Sequence, residues 1–127
     1  MKETRICHIT SVHPRFDTRI YLKECQSLVQ ADYKVNLIVA DGLGDVECQG
    51  LSIKDVGKAR NRFLRLFSTV IKIYKEVKKK MPDIVHFHEP ELMFAAFLLK
   101  KRKRAVIYDM HENFPKQILD KNWLKPR

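Results

Sequence analysis

Short strand-like runs alternate with helical stretches along the chain, and that alternation limits the fold more than any other feature. Arg5-Ile6-Cys7-His8-Ile9-Thr10 and Lys34-Val35-Asn36-Leu37-Ile38-Val39 are rich in strand formers. Leu51 to Val56 reads as a third strand on the sheet edge, ended by Gly57. Ile84-Val85-His86-Phe87 and Arg104-Ala105-Val106-Ile107-Tyr108-Asp109 are the fourth and fifth. Thr18 predicts an N-cap for a helix to about Ala31. A second helix spans Asn61 to Lys80, with Phe63, Leu64, Phe67, Val70, Ile71, Tyr74 and Val77 at helical spacing and turned to the core. Pro90 suits the first turn of a third helix, whose apolar run Leu92 to Leu99 predicts a mostly buried element. Asp41 to Asp45 is a turn cluster, and Pro115 predicts a short helix to about Lys121.

The order βαβ, β, αβαβ, α predicts an α/β fold with a parallel sheet covered on both faces. Right-handed crossovers make it doubly wound, with strand order 3-2-1-4-5. The winding reverses between strands 1 and 4, and ligands bind beyond the carboxyl ends of strands at such a switch point. The 127 residues suffice for one domain, residues 1–127, and a hydrophobic share of 45% makes that domain globular. No stretch approaches the roughly 18 apolar residues that span a bilayer. The N-terminus lacks a signal-peptide core, and Cys7, Cys25 and Cys48 are odd in number and widely spaced. Both features fit a reduced, cytoplasmic chain.

Four of the five histidines fall at or beyond strand ends on one predicted edge. His13 follows strand 1, His86 and His88 close strand 4, and His111 follows strand 5. Arg15, Asp17 and Arg19 join them from the first loop, Glu89 from the fourth, and Asp109 and Glu112 from the fifth. His13, Arg15, Asp17, Arg19, His88, Glu89, His111 and Glu112 are therefore the candidate site residues. His8 lies inside strand 1 and reads as a core residue. His86 shares a sheet face with His88 and reads as a packing or supporting residue. A metal reading of His86, His88 and Glu89 lacks a further ligand pair with metal spacing, so no metal is expected. No glycine-rich dinucleotide fingerprint and no Walker loop is present.

Three motifs carry a resemblance. Thr10-Ser11-Val12-His13-Pro14-Arg15-Phe16-Asp17-Thr18-Arg19-Ile20 with Lys23-Glu24, Val85-His86-Phe87-His88-Glu89-Pro90-Glu91-Leu92, and Ile107-Tyr108-Asp109-Met110-His111-Glu112 are similar to a branch of glycosyltransferase family 4. The resemblance implies two Rossmann-like domains in the GT-B arrangement, of which this chain is the N-terminal, acceptor-side one. It implies retaining transfer of a sugar from a nucleotide-sugar to a glycan or lipid-linked acceptor. His111 matches the family histidine that contacts the donor sugar, which makes it the catalytic candidate. The first loop departs from the family, because His13-Pro14-Arg15-Phe16-Asp17 stands where glycines are usual. The nucleotide is held mostly by the C-terminal domain, so the chain is expected to be inactive without that missing partner. No cofactor is implied beyond the nucleotide-sugar substrate.

Two rival readings stand beside it. One is a non-catalytic module that holds a nucleotide or phosphorylated ligand at the switch point. The other uses the net charge of +10. Lys58 to Lys80 holds nine basic residues against Glu76, and Lys100 to Arg104 adds five. Such runs favour an anionic surface, and weak contact with an anionic membrane is expected against the plainer reading of a solvated face. Nucleic acid is not expected, because the aromatic residues of the basic helix read as core-facing.

Overall fold

The computed structural model describes residues 3–100 and 104–110. Its sheet contains β1 (Arg5–Ile9), β2 (Lys34–Val39), β3 (Val46–Cys48), β4 (Leu51–Asp55), β5 (Ile84–Phe87) and β6 (Ala105–Tyr108), in the order β3-β4-β2-β1-β5-β6. From β4 through β6 every pairing is parallel. This is the expected order 3-2-1-4-5, with β1 and β5 adjacent where the winding reverses.

One strand is additional. β3 pairs antiparallel with β4, so Leu51–Asp55 is an inner strand and not the expected edge. Gln49 and Gly50 make the two-residue turn, both at positive φ (49° and 80°). Such a turn matches the twist of a hairpin. The closeness of this turn to α1 leaves little room, since a Cβ on Gly50 would stand 2.9 Å from Cγ1 of Val29.

Helices cover both faces. α1 runs over residues 18–30, as wide i→i+5 turns at Thr18–Cys25 and ordinary turns at Gln26–Gln30. Its cap is Asp17 and not Thr18: the Asp17 carboxylate accepts from the N–H groups of Arg19 and Ile20, both at 2.9 Å. α1 buries Ile20, Tyr21 and Cys25 against Val35, Leu37, Val39, Leu51 and Ile53. α2 (62–80) and α3 (90–99) share the other face, where Val70, Ile73, Val77, Leu92, Ala95, Ala96 and Leu99 pack on Cys7, Ile9, Ile38, Val85 and Phe87.

The apolar faces of α2 and α3 differ from the sequence expectation. Asn61 caps α2 through Leu64 N–H at 2.9 Å, as the spacing predicts. Arg65–Thr69 is then wound in wide turns, which breaks the 3.6-residue period. Core contact falls to Thr69, Val70, Ile73 and Val77, whereas Phe63, Phe67 and Ile71 are 70%, 58% and 53% exposed. In α3 only the stripe Leu92, Ala95, Ala96 and Leu99 is buried; Met93, Phe94, Phe97 and Leu98 are exposed. No helix among the described residues is long and apolar enough to cross a membrane. The sequence readings at Lys101 to Lys103, His111, Glu112 and Pro115 to Lys121 lie outside the described residues.

Gly50→Ala tests the hairpin. Holding alanine at positive φ against Val29 is expected to destabilise the protein by about 1–2 kcal/mol. Denaturant melts of the variant and wild type measure it, and equal midpoints would mean that the turn tolerates a side chain.

Candidate functional site

Two clusters form at the carboxyl ends of β1 and β5. The first is a staple between the loops that leave these strands. Glu89, 5% exposed, accepts from Thr10 Oγ1, from the Ser11 N–H (3.2 Å) and from His13 Nδ1 (2.6 Å). The His13 N–H donates to Thr10 Oγ1 at 3.1 Å. Glu91 continues the staple, accepting from Ser11 Oγ and from Arg65 Nε at 3.1 Å. His13 and Glu89 therefore meet, as the common-edge argument requires. Ser11, Thr10 and Arg65 complete an arrangement that sequence spacing alone does not reveal.

The rest of the first loop is fixed from within. Arg15, 5% exposed, grips Asp41 through two parallel hydrogen bonds of 2.7 Å, and its Nη2 also donates to the Gly44 carbonyl at 2.6 Å. The guanidinium holds the Asp41 carboxyl below its ordinary value, and the carboxylate raises Arg15. Asp17 is engaged as the α1 cap. Arg15 and Asp17 thus shape the loop, while Arg19, with a side chain 49% exposed, keeps open surface.

The second cluster lies on the α1 face of the sheet. Side chains alternate along a strand, so residues 8, 86 and 88 point to one face, and β1 and β5 pair with His8 opposite His86. The three rings stack, with centroids 4.4 Å apart for His8–His86, 4.8 Å for His86–His88 and 5.3 Å for His8–His88. His8 Nδ1 and His88 Nε2 share one hydrogen bond at 3.1 Å. The side chains of His8 and His88 are fully buried, whereas that of His86 is 18% exposed. His8 is the core residue expected, and His88 points inward to it.

α1 delivers Glu24 to this stack, a residue that the site reasoning did not single out. Its Oε2 lies 3.6 Å from His8 Nδ1, 3.8 Å from His88 Nε2 and 3.9 Å from His86 Nε2. Its Oε1 faces Arg19 Nε at 3.5 Å. Arg19 Nη2 also donates to Asp109 Oδ1 at 2.8 Å, and Asp109 Oδ2 lies 3.6 Å from His86 Nε2 and 3.9 Å from His88 Nδ1. Burial, reinforced by the hydrogen bond and charge of Asp109, pushes the Glu24 carboxyl up to about 7. Burial, reinforced by His86, pushes His8 down to about 3, so its imidazole is neutral. Cys7, on the opposite face of β1, is pushed up to about 12 by burial and stays a protonated thiol.

The comparisons with known proteins agree with this architecture. The family model described as Glycosyltransferase Family 4 matches residues 18–127. Sucrose-phosphate synthase from Thermosynechococcus elongatus has a similar backbone, with a TM-score of 0.67 over 98% of this chain, at 11% sequence identity. At that identity the likeness is one of fold, the Rossmann-like half of a GT-B arrangement. The chain spans 37% of the length of that synthase. No curated relative matches it by sequence.

The Arg15–Asp41 pair yields a pH prediction. Asp41 is held below its ordinary value of 3.8. Its stabilisation is therefore complete above that value and is lost as pH falls through the lower folded value. Asp41→Asn strands a buried guanidinium and is expected to cost about 3 kcal/mol at pH 7. Denaturant melts of both proteins from pH 7 down to pH 3 should show the gap narrowing in the most acid samples. A gap that stays constant over the series would contradict the assignment.

Proposed function

The chain belongs to glycosyltransferase family 4, and from that membership we propose that it is the acceptor-side part of a retaining transferase. The enzyme moves a sugar from a nucleotide-sugar donor to a glycan or lipid-linked acceptor. The bond from the anomeric carbon to the nucleotide phosphate breaks, the acceptor hydroxyl oxygen takes its place, and the hydroxyl proton leaves with the released nucleotide. The observation that carries this reading is the family match over residues 18–127, which includes both later motifs. The parallel sheet with its switch point between β1 and β5 supports it, because that crevice is where such folds receive ligands.

In this reading His13 and Arg19 face substrate, since both combine charge or hydrogen-bonding capacity with open surface. Arg15, Asp17 and Glu89 set the loop that presents them, and His88 supports the rim from below. His111, the residue after the last described position, contacts the transferred sugar, with Glu112 beside it. A second, donor-binding domain supplies the nucleotide site, and the protein works in the cytoplasm. His111→Ala in the full-length parent is expected to lower kcat/KM about tenfold or more with little change in melting temperature. Near-wild-type kcat/KM would remove His111 from the reaction centre.

The exposed apolar surface favours an addition to this reading, which is peripheral contact with an anionic membrane. Phe63 and Phe67 pair at a tilt, with ring centroids 5.0 Å apart, on the outside of α2, interleaved in sequence with Arg62 and Arg65. Part of the basic helix thus keeps apolar side chains for lipid, and Lys58 to Lys80 supplies attraction of about 1 kcal/mol for each basic residue near the surface. Co-sedimentation of the parent with anionic vesicles should fall at high salt and again in a Phe63→Ser, Phe67→Ser double variant. Equal binding to zwitterionic vesicles would show that the basic charge is only solvated.

A further inference from the structure

We propose that His8, Glu24, His86 and His88 form a binding site for one divalent transition cation of the zinc class. Their donor atoms all lie within 4.8 Å of one another. A tetrahedral zinc with bonds of about 2.0–2.2 Å has ligand atoms roughly 3.3–3.6 Å apart. His8 Nδ1 to His88 Nε2 is 3.1 Å, and Glu24 Oε2 lies 3.6, 3.8 and 3.9 Å from the three imidazoles. The carboxylate oxygen and the His8 and His88 nitrogens are therefore already spaced close to the corners that such an ion needs, with the His86 nitrogen within 4.8 Å of them. An ion among them would draw the carboxylate in and fan the rings out of their present stack.

One of these ligand atoms, the buried Glu24 Oε2, lacks a hydrogen-bond partner among the described residues. A buried carboxylate oxygen is costly unless something satisfies it. A cation answers the Glu24 oxygen directly. Three nitrogen donors suit zinc, cobalt or nickel and disfavour magnesium and calcium, which take oxygen.

The surroundings fit as well. Arg19 holds the other Glu24 oxygen, which leaves Oε2 aimed at the imidazoles. Asp109 stands 3.9 Å from His88 Nδ1, in the position of an outer carboxylate that orients a ligating histidine. Partial exposure of His86 and Glu24, at 18% and 21%, gives an ion an entry path. The donors come from β1, α1 and the end of β5, which is why the spacing of His86, His88 and Glu89 alone predicts no metal. Glu89 belongs to the loop staple instead. The site is independent of the transferase reading, and binding alone decides it.

The test is titration of chelator-treated protein with Zn2+ and with Co2+. One ion per chain is expected, together with a rise in melting temperature and the intense visible absorption of tetrahedral Co2+. Glu24→Gln and His86→Gln, both at partly exposed positions, should each weaken Zn2+ binding tenfold or more while far-UV circular dichroism stays unchanged. Cys48→Ser should bind as wild type does. The proposal is overturned if wild type binds no ion. It is equally overturned if both folded ligand variants bind as wild type does, or if Cys48→Ser abolishes binding.

Discussion

The Glu89 carboxylate joins the two halves of the fold at the point where they diverge. β1 and β5 pair in parallel at the centre of the sheet, and the chain then leaves each strand in a different direction. The strand ends carry backbone groups that ladder pairing no longer satisfies, and a buried loop there needs other partners. Glu89 supplies them for the first loop, accepting from Thr10 Oγ1, the Ser11 N–H and His13. A carboxylate at 5% exposure survives only with such donors around it. The start of the first loop and the placing of His13 depend on that side chain, and Glu91 extends the contact to Ser11 and Arg65.

Strand parity governs the rest of the site. On β1 the alternation sends Cys7 and Ile9 to the α2–α3 face and His8 to the α1 face; on β5 it sends Val85 and Phe87 one way and His86 the other. His88 continues the β5 alternation one step beyond the strand's end, so two adjacent strands and the first residue of the loop after β5 stack three imidazoles. The face under α2 and α3 is mostly apolar, with Asn36 a buried polar residue beside Cys7. The α1 face changes from apolar beneath Ile20, Tyr21 and Cys25 to polar above β1 and β5.

Much of this was legible in the sequence. The parallel order followed from alternating elements and crossover handedness, and the shared face of His86 and His88 followed from a period of two. The misses lie in a very short strand and in two helices with wide turns. β3 has three residues, including Glu47, and gives no alternation long enough to read. Glu24 follows Ile20 and Tyr21 by four and three residues and so faces the sheet, but that its neighbours there are His8, His86 and His88 is set by the strand order and not by local spacing. Phe63 and Phe67 leave the core face because Arg65–Thr69 is wound in wide turns. In both helices periodicity located the element, and tertiary packing decided which side chain faced which neighbour.

The wide turns have a stronger connection with function than the regular ones. A π-wound turn weakens local hydrogen bonding and persists where tertiary contacts repay it. In α1 the return comes from two sides: Ile20, Tyr21 and Cys25 are buried, and Glu24 gains Arg19 and three imidazoles. In α2 the wide segment buries Thr69 and brings Arg65 to Glu91. Both segments therefore lie at the carboxyl edge of the sheet, and each directs a charged side chain toward a loop leaving β1 or β5. The irregular winding and the polar edge are thus one feature of the fold, because the same contacts that distort the helices assemble the site.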